Sequence, residues 1–285
     1  MAELPSDIAV PVADGALVPR PAAAPRAAPH GTATWRWSVL SLSVAFAGWW
    51  LTTRYALVAP LYLPGPAAVA AKLVDVSRNG YMDATLWEHL EASLLRVAVA
   101  LLAALVTAVP LGILLGLNRV LRALVDPLIE FCRPVPPLAY LPLVVIWFGI
   151  GETSKVLLIY LAIFAPLVIA TTAGVVAVDP VRIRIAQSLG ANRLQLVRFV
   201  ILPESLPTIM TGIRIALGAG WSTLVAAELI AATSGLGFMI QSASQFLATD
   251  LVVAGIIVIA IVALLFEFGL RGLQRRLSPW AGRVS

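Results

Sequence analysis

Six mainly apolar runs dominate this chain: Trp37–Val58, Leu94–Leu117, Leu138–Ile150, Lys155–Val178, Gly212–Ala232 and Leu251–Leu270. A helix needs about 20 such residues to cross ~30 Å of hydrocarbon, and five of the six runs meet that length. Hydrocarbon offers no partner for a backbone N–H or C=O, so each run must close its hydrogen bonds within itself. Only 12% of the residues are charged and 60% are hydrophobic, where a soluble domain carries about 25% charged residues. The expected fold class is an all-α integral membrane protein with about six transmembrane helices.

The third run is short. Its residues 138–150 reach about 20 Å as a helix, less than the hydrocarbon core. It has to borrow from Asp126–Pro137, where Pro134, Pro136 and Pro137, with Pro142 beyond, predict a kinked or interrupted helix.

Basic residues give the expected orientation. With the amino terminus taken as cytoplasmic, fifteen of the 20 Lys and Arg fall on the inner side, and Arg54, Lys72, Arg78, Arg96 and Lys155 fall outside. That bias fits the positive-inside rule and predicts both termini in the cytoplasm. Residues 1–34 hold six prolines, many alanines and no apolar h-region, which predicts a disordered cytoplasmic tail rather than a secretory signal. Residues 35–285 form the expected membrane domain.

Local signals refine the elements. Thr85-Leu86-Trp87-Glu88 predicts a capping box, and Pro66 after Pro64-Gly65 predicts a helix start. Ala100, Ala104, Ala108, Gly112 and Gly116 recur at every fourth position, as do Gly212, Ala216 and Gly220. Small residues on one face let helix backbones approach closely in lipid. The stretch of about 179–211 predicts a helix–turn–helix elbow, opened by Asp179 as N-cap with Pro180 at N1 and turned at Gly190-Ala191.

Several chemistries are excluded. Cys132 is the one cysteine, and His30 and His89 are the two histidines, so no zinc cluster or Cys/His pair is expected. The net charge of +5 comes from scattered Arg residues, which argues against nucleic acid. Lys72 follows Ala71 and Lys155 follows Ser154, so there is no Gly-Lys-Ser/Thr phosphate loop. If ATP drives this protein, another subunit hydrolyses it. An ion-coupled secondary transporter would need paired intramembrane acids and internal repeats. Glu228 is the acid seen well inside a span, and no repeat is apparent.

The elbow carries a family pattern. Arg184-Ile185-Ala186-Gln187-Ser188-Leu189-Gly190, nine further residues, and then Val200-Ile201-Leu202-Pro203 resemble the loop E-A-A-x3-G-x9-I-x-L-P of ABC importer permeases. Arg184 and Ile185 replace the usual Glu-Ala, and Val200 replaces Ile. Arg133–Leu143, Ile146–Lys155 and Trp221–Ala232 further resemble the branch importing sulfonates, nitrate and taurine. The resemblance implies import of a small sulfonate, with taurine the leading choice and an alkanesulfonate or nitrate the alternative. It also implies a bacterial inner-membrane location, a second permease copy, two ATPase subunits on the cytoplasmic face and a periplasmic binding protein. ATP would be used by the partner, with no cofactor or metal on this chain. Arg184, Ala186, Leu189, Gly190, Ala191, Arg193, Val200, Leu202 and Pro203 would form the ATPase-coupling loop. Glu228 is a candidate pathway or gate residue because intramembrane carboxylates are functional by default. Glu267, four residues before Arg271, is expected to be structural.

Overall fold

The computed structural model describes residues 34–280. The expected tail lies outside the described residues except for Thr34. By internal contacts the chain divides into residues 1–48 and 49–285. Of the first unit, 34–48 are described and form the beginning of α1 (Thr34–Arg54).

The second unit continues with α2 (Pro66–Asn79), α3 (Leu86–Leu117), α4 (Arg119–Cys132), α5 (Leu141–Phe148), α6 (Glu152–Val176), α7 (Pro180–Ser188), α8 (Arg193–Leu196), α9 (Leu202–Ala231), α10 (Leu236–Gln245) and α11 (Thr249–Leu277). Among the described residues the only bridge is an isolated one between Tyr81 and Ala84. The predicted caps form. Thr85 accepts from the Glu88 N–H while Glu88 accepts from the Thr85 N–H, which fixes the start of α3. Pro66 opens α2 behind Gly65.

Among the described residues, four helical stretches are long and apolar enough to cross a membrane: 86–117, 152–176, 193–230 and 249–277. A bent pair, 119–132 with 137–148, makes a fifth if it counts as one span. The expected six is therefore a count of four or five here. The first expected run forms α1, yet four Trp and six Ser or Thr keep that helix out of the set. The third is broken as its prolines predict. Pro137 starts a 3-10 turn at Pro137–Tyr140, Pro142 sits in the first turn of α5, and the two arms meet at 85°.

Close packing centres on α6, which lies between α3 and α9. Ala100, Ala104, Ala108 and Ala216 are fully buried in this core. A Cβ on Gly112 would lie 2.6 Å from the Thr171 Cβ, and one on Gly116 would lie 2.5 Å from Val175. The four-residue ladder of small side chains thus sets how near α3 comes to α6. In lipid, such contact supplies van der Waals energy that larger residues would block. Helix α11 joins α9 through Trp221 edge-on to Phe266, 5.6 Å between centroids, and through Arg214 to Glu267. Glu267 also accepts from Arg271 at 2.8 Å, so it ties two helices as well as two turns of one.

Candidate functional site

Two sites stand at opposite ends of α6, whose 25 residues span about 37 Å.

The elbow follows the carboxyl end of α6. Asp179 caps α7 by accepting from the Val181 N–H at 2.8 Å. The helix closes with the Gly190 N–H on the Gln187 carbonyl and the Ala191 N–H on the Ala186 carbonyl. This paired closure needs a left-handed residue at the turn, and Gly190 supplies it at φ +83°. Asn192 and Gln195 then form a reciprocal capping box at α8. Ile183, Leu196 and Ile201 anchor the elbow on Val175 and Val178.

The opposite face is open. Leu189 is 83% exposed and Leu194 is 76% exposed. Arg184 and Arg193 are exposed as well, and Ala191 is half-buried. Among the described residues, nothing beyond its chain neighbours lies within 4 Å of a Cβ placed on Gly190. Ala186, Leu189, Val200 and Pro203 line a groove of ≈ 580 Å³, together with Arg182 and Trp280. Leu202 packs toward the central core at the start of α9.

The sequence suggests that Pro203 ends a second short helix. Instead α8 runs on through a π turn at Val197–Ile201 into α9, and 193–230 is one continuous stretch. Pro203 has no N–H to give the preceding turn, and the backbone widens just before it. Arg182 pairs with Glu204 at 3.3 Å, bracing α7 against this rod.

Glu228 lies at the other end of α9 and is 0% exposed. Its carboxylate accepts from Ser93 Oγ at 2.7 and 3.0 Å, Arg96 Nη1 at 2.6 Å and the Gly237 N–H at 2.8 Å. Arg96, 2% exposed, also donates from Nη1 to the Ser234 carbonyl at 2.8 Å. Its other edge grips Glu152 in a fork, Nε to Oε2 at 2.6 Å and Nη2 to Oε1 at 2.8 Å. Lys155 Nζ donates to Glu152 Oε1 at 2.8 Å. Two cations and two carboxylates thus form a neutral cluster.

The cluster also closes the backbone before α10. That helix begins at Leu236, and its N-cap residue Gly235 has no side chain to cap it. Ser93 Oγ accepts from the Leu236 N–H, Glu228 from the Gly237 N–H, and His89 Nδ1 from the Gly235 N–H. With Nδ1 accepting, the His89 proton sits on Nε2, facing the Tyr81 carbonyl at 3.3 Å. Gly235 is required twice over. Its φ is +128°, and a Cβ there would come within 2.6 Å of both Glu228 and Arg96.

The sequence singles out Glu228 but treats Arg96 and Lys155 as outer flanking charges. Both are buried and ion-paired, so they belong to the cluster. A usable signal was present. Two lone cations and two lone acids at the edges of apolar runs are expensive unless paired. Trp147 and Trp280 are exposed, Trp221 is buried, and Trp49 donates to the Pro64 carbonyl at 3.0 Å. Among the described residues no group of His, Cys, Asp or Glu could hold a metal.

Residues 108–281 match the family described as binding-protein-dependent transport system inner membrane component. The chain is 60% identical to the taurine transport system permease protein of Escherichia coli (strain K12), over 88% of this chain and 94% of that relative. It is 33% identical to the bicarbonate transport system permease protein of Synechococcus elongatus, over 75% and 80% respectively. Among solved structures, the inward-facing MetNI methionine ABC transporter matches with a TM-score of 0.59 at 19% identity, over 65% of this chain and 93% of that chain. That last likeness is one of fold.

Proposed function

The chain belongs to the family of binding-protein-dependent transport system inner membrane components, and from that premise we propose that it is the pore subunit of an ATP-driven importer of taurine. The observation that carries the substrate is the 60% identity over 88% of the chain to the taurine permease. The fold supports the pore role, with apolar helices packed around α6 and no phosphate loop in the sequence.

In this reading the elbow docks on an ATPase subunit. Gly190 keeps the turn compact, Ala186 and Ala191 leave room for a partner, and Leu189 with the groove beside it offers apolar contact. Arg184 and Arg193 flank that contact, while Val200, Leu202 and Pro203 join it to the membrane. The elbow faces the cytoplasm, as do both termini, and the Arg96 cluster lies toward the periplasm, where a binding protein delivers substrate. A second copy completes the pore. The chain itself uses no cofactor, and ATP is consumed by its partner.

The test is uptake of labelled taurine by cells lacking their own importer and given this chain with its ATPase and binding protein. Taurine uptake that unlabelled taurine abolishes is expected. Uptake of bicarbonate or nitrate instead would move the substrate to another small anion, a reading the Synechococcus relative favours. A reporter fused at the carboxyl end should be cytoplasmic, and a periplasmic signal would refute the orientation.

A further inference from the structure

The two carboxylates of the cluster are held very differently. Glu228 is fully buried and receives hydrogen bonds from a hydroxyl, a guanidinium and a backbone N–H. The Glu152 side chain is 62% exposed, and the hydrogen bonds to its carboxylate come from Arg96 and Lys155. It can swing outward without breaking a backbone bond. Gly149, at φ +78°, and Gly151 precede it, and apart from their chain neighbours no described residue lies within 4 Å of either Cβ position.

The donors outnumber the oxygens they serve. Arg96 Nε has Oε2 to itself, but Arg96 Nη2 and Lys155 Nζ share Oε1, each at 2.8 Å. A sulfonate carries three oxygens on a tetrahedral sulfur and offers one to each donor. Charge limits the exchange further. Arg96 and Lys155 are 2% and 4% exposed, so stripping Glu152 away without a replacement would leave one positive charge buried and uncompensated. A monoanion entering as Glu152 leaves keeps the cluster neutral.

We infer that Arg96 and Lys155 form a sulfonate subsite that Glu152 occupies in the absence of substrate, and that the displaced Glu152 carboxylate receives the substrate's ammonium. This rests on the taurine reading above and adds to it where each end of the zwitterion binds. Taurine answers both halves of the exchange, its sulfonate to the cations and its ammonium to the released acid. A sulfonate without an amine answers one half. Glu152 is thus a tethered competitor for plain anions and a ligand for zwitterions.

The test uses the complex with its ATPase subunits in nanodiscs, without the binding protein. Taurine and methanesulfonate each displace labelled taurine. Glu152→Gln removes the competitor and the ammonium partner together. Methanesulfonate should then bind about tenfold more tightly, the scale of one charge-assisted hydrogen bond. The preference for taurine over methanesulfonate should disappear. Lys155→Met should weaken both ligands by about tenfold. Should Glu152→Gln fail to assemble, Glu152→Asp, with its shorter stem, should shift methanesulfonate in the same direction. Wild-type affinities for both ligands in assembled Glu152 and Lys155 variants would overturn the subsite while leaving taurine uptake intact. Affinities that shift as expected in a complex that takes up no taurine would keep the subsite and overturn the transport reading instead.

Discussion

At the elbow, Leu189 and Leu194 stand in the open, and the backbone is capped by residues two to five positions away. At the far end of the same helices, Arg96 and Glu228 are sealed in, and the start of α10 is capped by side chains from α3 and α9. The elbow keeps its shape with local bonds and leaves its apolar surface exposed. The cluster keeps its shape with long-range charges and leaves little surface free beyond Glu152. A change at the elbow should therefore cost coupling, and a change at the buried Arg96–Glu228 pair should cost the fold.

The strongest test of that contrast is Arg96→Met. It leaves Glu228 buried without its cation, and about 3–5 kcal/mol of stability should be lost. Thermal unfolding in detergent measures this, and Arg96→Met with Glu228→Gln should recover much of it. Recovery would locate the cost in the orphaned charge rather than in lost packing.

A smaller effect is expected midway between the ends. Gly116→Ala places a Cβ 2.5 Å from Val175 and should cost about 1–3 kcal/mol through forced separation of α3 from α6. The same melting experiment reads it. A neutral result would mean the ladder does not set that helix spacing.

The smallest loss of stability belongs to Gly190→Trp. Its φ of +83° imposes about 1 kcal/mol on any side chain, yet apart from its chain neighbours no described residue lies within 4 Å of its Cβ position. Insertion and expression should be near normal while taurine uptake and pull-down of the ATPase subunit are lost. Bulky substitution at Ala248, beyond α10, is the control and should leave the pull-down intact. Normal uptake in Gly190→Trp would make the elbow a plain connector. A melting loss as large as that of Arg96→Met would erase the contrast between the ends.

Sequence distance explains why one end was legible and the other was not. Asp179, Gly190 and the Asn192–Gln195 box act on their neighbours, so residue order alone is enough to place the elbow. Thr85 with Glu88 and the prolines of the broken third run work in the same way. The cluster joins residues 56 and 132 positions apart, Arg96 to Glu152 and Arg96 to Glu228. Charge balance can show that such partners are needed, but only the packing of α3, α6 and α9 pairs them. The span count differs for a related reason: among the described residues four or five spans of the expected six meet the length and composition of a crossing helix. A count of apolar residues treats the Trp-, Ser- and Thr-rich α1 as equal to its neighbours, although its hydropathy is lower. The continuous rod through Pro203 was hidden because a π turn lets a proline sit where an ordinary turn would have ended.

That rod has a mechanical consequence. Residues 193–230 are 38 positions long, about 57 Å of helix, with the elbow at one end and Glu228 near the other. A lever without a hinge cannot be moved at one end while the other stays still. If the elbow is where ATP hydrolysis pushes, slack in the stroke can come from the π turn at Val197–Ile201 and from Pro207 inside α9. How far these irregular turns can wind or unwind would then set how much motion is absorbed before it reaches Glu228.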